Sequence, residues 1–283
     1  MKIRIISGLV AVGIAVLVIS ALFTPVLPLF LAFLSAMAAW EIMGVVGVKS
    51  NLVRIPAIVF SALVPIYTSV STYYSFRIPE GAVVSLYVIM MLCFMLKTHK
   101  KTKFEQLAIT LYATVFVPYA FSCLIMIKDI HTAYEGIYTK SESIYFIWFV
   151  LLCSFLTDTF AFFVGSKFGK HKLAPVVSPK KSVEGAIGGL VLSTAFNVGV
   201  FAAVKYLAFD GKTAISFVFI IVMSVVLSGI SMLGDLTASL LKRNYGIKDF
   251  GKIMPGHGGV MDRMDSLIFV APVFMAAFKF INI

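Results

Sequence analysis

Charge is scarce in this chain, and acid scarcer still: 13 Asp and Glu stand against 24 Lys and Arg in 283 residues, 13% charged in all beside 60% hydrophobic. No polar stretch is long enough to fold as a soluble domain, which excludes a water-soluble enzyme or binding module. Cysteine is nearly absent too. Cys93, Cys123 and Cys153 each lie inside an apolar run, without a close CxxC pair, so neither a disulfide framework nor a thiolate metal centre is expected. No internal repeat of useful period is present. The net charge of +11 would point to nucleic acid in a soluble domain. Here the basic residues flank apolar runs and follow the positive-inside rule, so no nucleic-acid partner is expected.

What the chain has in plenty is apolar runs of membrane-crossing length. At about 20 residues per span, spans are expected near 5–23, 26–47, 53–72, 82–97, 105–127, 143–167, 184–208, 213–241 and 265–281. The expected fold is all-α, a polytopic transmembrane helical bundle of about nine spans. It forms a single integral membrane domain over 1–283, with 1–142 as an N-terminal helical scaffold and 143–283 carrying the catalytic helices and loops. The opening MKIR and the apolar run to Phe23 have the regions of a signal peptide, but another apolar segment follows at once and the run is read as a retained first span. With the N-terminus cytoplasmic, 18 Lys and Arg fall on the cytoplasmic side. The other six, Arg77, Lys128, Lys140, Lys205, Lys212 and Lys279, fall opposite. Both chemically rich loops then face the cytoplasm.

The first of these runs from Asp158 to Gly189. Asp158 sits inside the sixth expected span, where a charge costs about 2.5–3.5 kcal/mol on insertion scales, so it should face an interior cavity. Ser178, Lys180 and Glu184 precede or open the seventh helix, whose free N–H groups and dipole favour an anion such as phosphate. Lys167, Lys170 and Lys172 are read as loop anchors near lipid head groups.

The second runs from Gly234 to Ser266 and is the chemical centre of the sequence. It holds Asp235, Lys242, Arg243, Lys248, Asp249, Lys252, His257, Asp262, Arg263 and Asp265. Asp158, Asp235, Asp262 and Asp265 can meet at similar depth, and the last two share a face if that end is helical. Converging carboxylates without cysteine suit a hard cation such as Mg²⁺, possession of which would let the acids tolerate one another. Metal ligands are therefore expected at Asp235, Asp262 and Asp265, with Asp158 a further candidate. The Pro255-Gly256-His257-Gly258-Gly259 run is nearly free of side chains, so its backbone amides can approach a ligand closely. His257 could donate to a phosphate or move a proton.

Ser239, Lys242-Arg243, Lys248-Asp249, Gly251, Pro255 to Gly259, Asp262-Arg263 and Asp265-Ser266, at these spacings, resemble the signature of the phosphatidate cytidylyltransferase (CDP-diacylglycerol synthase) family. Asp158-Thr159, Gly165, Gly169-Lys170, Ser178-Pro179-Lys180, Glu184-Gly185 and Gly188-Gly189 resemble its second block. Two positions depart from the pattern: Ala238 stands where it has Glu, and Phe162 where Tyr is common. The resemblance implies that CTP and phosphatidate give CDP-diacylglycerol and pyrophosphate in phospholipid biosynthesis, with Mg²⁺, in a bacterial plasma membrane, and it implies a homodimer. Catalytic roles then fall to Asp235, Asp262, Asp265, Lys242, Arg243 and His257. Substrate contacts fall to Ser178, Lys180, Glu184, Ser239, Lys248, Gly258, Gly259 and Arg263, while Asp249 orients a basic neighbour. Two other readings stay open: a cation-coupled transporter using the intramembrane acids, and a CTP-dependent enzyme acting on an isoprenoid alcohol or ether lipid.

Overall fold

The computed structural model describes residues 13, 17–18, 20–74, 78–253 and 258–281. Most of the first expected span, and His257, lie outside these residues. Among them, seven helices are long and apolar enough to cross a membrane: α1 (Val26–Val46), α2 (Asn51–Tyr74), α3 (Glu80–Lys97), α4 (Phe104–Lys128), α6 (Lys140–Phe168), α7 (Val183–Leu207) and α8 (Phe217–Asn244). The last apolar helix, α10 (Leu267–Ile281), is shorter. Single-turn helices α5 (Ile130–Ala133) and α9 (Met261–Met264) lie in connections. The protein is a polytopic helical membrane protein, as the hydropathy pattern implies, and the expected spans from 26 onward fall within a few residues of these helices. One element departs from an all-helical reading: β1 (Lys172–Ala174) and β2 (Ser178–Ser182) form a two-stranded antiparallel hairpin.

The chain divides into two compact units, Met1–Met126 with Tyr245–Met264, and Ile127–Asn244 with Asp265–Ile283. The boundary thus cuts the charged stretch: Asp262 and Arg263 pack with the N-terminal helices, while Asp265 belongs with α6 to α8.

In the first unit, α1 and α2 pack closely, and the Ser61 hydroxyl donates to the Ser35 carbonyl across them at 2.9 Å. Ala39, Met43, Val53, Ala57, Met91 and Leu107 fill the core between α1, α2, α3 and α4. Within α4, residues Tyr112–Phe116 form a π turn. It directly precedes Val117-Pro118, where the proline ring would clash with the carbonyl four residues back and offers no N–H to it.

In the second unit, α6 and α7 approach to backbone contact. A methyl group on Gly189 would lie 2.8 Å from the Thr157 carbonyl oxygen and from Ala161 Cβ, so the small residue sets the spacing. Polar groups stitch three helices together. Thr157 Oγ1 lies 3.1 Å from Ser193 Oγ on α7 and 2.9 Å from Ser228 Oγ on α8, contacts of about 0.6–2 kcal/mol each in lipid. An aromatic cluster of Tyr145, Phe146, Phe149, Phe274 and Phe278 packs one end of this unit. Asp158 lies twelve residues beyond Phe146 along α6, about 18 Å at helical rise, so the acid end and the aromatic end are separate.

Candidate active site

Two acid sites emerge, one in each unit. In the second unit Asp158 of α6, Asp235 of α8 and Asp265, in the turn ahead of α10, lie within electrostatic reach of one another. Gly234 makes the approach of that turn to α8 feasible, since a Cβ there would sit 2.7 Å from the Asp265 carbonyl oxygen. The Ser266 hydroxyl donates to Asp158 at 3.0 Å, and the Ser266 N–H to the Asp265 carboxylate at 2.8 Å. Asp235 is ion-paired with Lys181, and the Ser239 hydroxyl reaches it at 3.5 Å. Burial, with the charge of Asp235 added to it, pushes the Asp265 carboxyl up to about 7, against the pull of the Lys242 ammonium. These acids repel one another in a poorly solvated place, and cations from two elements, Lys181 and Lys242, answer them.

Lys181 is the basic residue that spacing alone did not single out. Successive residues of a strand point to opposite faces. On β2 Lys180 is exposed, while Lys181 is half-buried and ion-paired with Asp235. The start of α7, expected to receive a phosphate, is engaged by the protein itself. Ser182 Oγ accepts the Gly185 N–H at 3.1 Å. Glu184 accepts the N–H groups of Lys170 and His171 at 3.0 and 3.2 Å, and its carboxylate lies 2.6 Å from the His171 ring. Glu184 therefore closes the loop that carries the hairpin. Arg243 Nε donates to the Val177 carbonyl at 3.4 Å, tying the end of α8 to the hairpin turn. Ser178 is half-buried at the start of β2.

The first unit holds the other acids. Glu41, on α1, is 2% exposed and accepts the N–H of Val260 on Oε1 and of Met261 on Oε2, both at 3.0 Å. Asp262 Oδ2 accepts the N–H of Phe250 at 2.7 Å and of Gly259 at 3.0 Å. Of the amides expected to cradle a ligand, that of Gly259 is thus engaged by Asp262, and the two that follow it, of Val260 and Met261, are engaged by Glu41. Gly258 has φ +86, a conformation that favours glycine, and Gly259 abuts the Glu41 carboxylate. Lys248, Asp249 and Arg263 are exposed. The expectation that Asp262 and Asp265 share a helical face is not met: α9 ends at Met264, and Asp265 follows in a turn. Glu41 escaped the sequence reading, though an acid within the AAWEIMG run carries the same insertion cost that drew attention to Asp158.

Of the two departures from the family pattern, Ala238 is 3% exposed within α8, and Phe162 is an exposed aromatic on α6. Comparison with known proteins bears on the whole chain. The profile of the cytidylyltransferase family matches residues 2–281. The chain belongs to that family. A phosphatidate cytidylyltransferase of Bacillus subtilis is 29% identical over 276 residues, 96% of this chain and 95% of its own length. Proteins of the same name from Staphylococcus saprophyticus and Staphylococcus aureus are each 40% identical over 152 residues, 53% of this chain. That match spans 56% of the length of the staphylococcal relatives.

Proposed function

We propose that this chain transfers the cytidylyl group of CTP to phosphatidate, giving CDP-diacylglycerol and pyrophosphate in phospholipid biosynthesis. The observation that carries the reading is the meeting of Asp158, Asp235 and Asp265 with Lys181 and Lys242 where three apolar helices converge. Family membership, and the activity named for the relatives, support it. A phosphate oxygen of phosphatidate attacks the α-phosphorus of CTP. The bond from that phosphorus to the bridging oxygen breaks, and pyrophosphate leaves with the electron pair. Both reactants are anions, so the main obstacle is charge repulsion, and neutralisation with in-line positioning supplies most of the acceleration without a protein nucleophile.

The donor set suits a hard divalent cation in its oxygen chemistry and in a negative charge that Lys181 and Lys242 only partly offset. No three His, Cys, Asp or Glu among the described residues form a ready-made cage; Mg²⁺ takes one or two carboxylates and leaves the rest of its shell to substrate phosphates and water. Asp235 and Asp265 would hold it, with Asp158 beside them, and it would neutralise nucleotide phosphate charge. Lys242, Arg243, Lys248 and Arg263 bind CTP phosphates or the phosphatidate head, and Ser178, Lys180 and Ser239 add polar contacts. Glu184 shapes that surface through its loop. Asp262, Gly258 and Gly259 present Arg263, and His257 serves proton transfer or a phosphate contact. The site faces the cytoplasm of a bacterial plasma membrane, in a nine-span, homodimeric protein whose N-terminus is cytoplasmic.

Purified protein in liposomes, given CTP, phosphatidate and Mg²⁺, should yield CDP-diacylglycerol that EDTA abolishes and that excess isoprenoid alcohol or ether lipid does not suppress. Labelled-cation flux without nucleotide turnover would overturn the reading in favour of a transporter.

A further inference from the structure

We infer that Glu41 is a positioning residue of the proposed active site, whose carboxylate fixes the segment bearing Asp262 and Arg263. The inference rests on the cytidylyltransfer reading for its catalytic half and on geometry alone for its structural half. An acid in the middle of an apolar helix costs free energy that an aliphatic residue would not, so its retention in α1 calls for a compensating contact. That contact is specific. Each oxygen takes one N–H, Oε1 from Val260 and Oε2 from Met261. These amides stand at the very start of α9, where a helix has N–H groups without internal partners. A helix of one turn does not hold itself in water or lipid. Glu41 supplies, from far along the chain, the cap that the local sequence lacks.

Two glycines confirm how tightly the carboxylate is gripped. A Cβ at Gly251 or at Gly259 would overlap the Glu41 carboxylate, so the backbone at both positions rests on the same group. Asp262 and Arg263 directly follow the clamped amides, and their direction in space follows from that clamp.

Glu41→Gln preserves shape but removes one acceptor, setting an NH₂ group against a backbone N–H. In the full chain in detergent, hydrogen exchange over 258–264 should rise about tenfold or more while α6 and α8 exchange as in the parent. Turnover should fall about tenfold or more, and the KM for whichever substrate Arg263 contacts, CTP or phosphatidate, should rise severalfold while that for the other stays within about twofold. In an Asp262→Asn background the same substitution should cost less than about twofold further. Unchanged exchange over 258–264 would overturn the clamp. Faster exchange throughout the chain would reduce Glu41 to a general stability residue. Local loosening with full turnover, or full additivity with Asp262→Asn, would overturn the positioning role. If the parent protein makes no product, the cytidylyltransfer reading falls, and the exchange measurement still decides the clamp by itself.

Discussion

The two units treat their acids in opposite ways. In the first, Glu41 gives both its oxygens, and Asp262 its Oδ2, to backbone N–H groups of Phe250, Gly259, Val260 and Met261. In the second, Asp158, Asp235 and Asp265 face one another, and hydroxyls and lysines only partly answer them. A carboxylate satisfied by amides is fixed in place and fixes its loop. One left among like charges keeps an appetite for cations. Under the proposed function, the difference separates acids that shape a loop from acids left to meet a cation, a distinction that residue type and spacing do not make.

The sharpest way to break this comparison is to neutralise one acid in each unit. Asp265→Asn should lower turnover by about a hundredfold to a thousandfold, on the scale of losing a principal electrostatic contact, yet leave thermal stability unchanged or raised because a repelling charge is gone. Asp262→Asn should cost about 1–3 kcal/mol of local stability through a poorly satisfied pair of amides, read by hydrogen exchange. Mg²⁺ binding to the intact protein should stabilise it by about 2.7 kcal/mol at a hundredfold excess over Kd. Thermal unfolding should show that gain lost in Asp235→Asn and kept in Asp262→Asn. Gly259→Ala, which drives a methyl group into Glu41, should destabilise by about 1–3 kcal/mol, and Glu41→Ala in the same chain should relieve the overlap.

The smallest expected effect is a pH dependence at Asp265, whose carboxyl is raised from 3.8 to about 7. A raised carboxyl holds its proton in the folded protein, so in metal-free protein its contribution to stability is complete below 3.8 and is lost as pH rises through about 7. A cation requires the charged form. Apparent Mg²⁺ affinity should therefore weaken as pH falls below about 7, with proton release on binding measurable by calorimetry in buffers of different ionisation heat.

Hydropathy made most of the fold legible, since a bilayer allows little besides helices of a set length. The spans from 26 onward were readable for that reason, and Pro56, Pro65 and Pro272 did not end their helices. The hairpin β1–β2 was not readable, because SPKKS is polar and short and its pairing is set by the anchored ends of α6 and α7. Asp158, Asp235 and Asp265 stood out as acids near span ends. That Asp262 belongs with the N-terminal helices and Asp265 with α6 to α8 could not be read, because the unit boundary falls at the turn directly after Met264. Lys181 and Glu41 depended on which way a side chain points, and the latter also on a partner more than two hundred residues away. The glycine run was legible as a place of close backbone approach. That the approaching group is the protein's own carboxylate required the fold.

The most direct test is a Mg²⁺ titration of CDP-diacylglycerol formation by the parent protein, Asp265→Asn and Asp262→Asn, all purified and shown to be folded. The expected result is a saturable Mg²⁺ requirement in the parent, a large loss of product in Asp265→Asn that more Mg²⁺ only partly restores, and an unshifted Mg²⁺ midpoint at reduced rate in Asp262→Asn. A midpoint shifted by Asp262→Asn and untouched by Asp265→Asn would contradict the division of labour between the two acid sites.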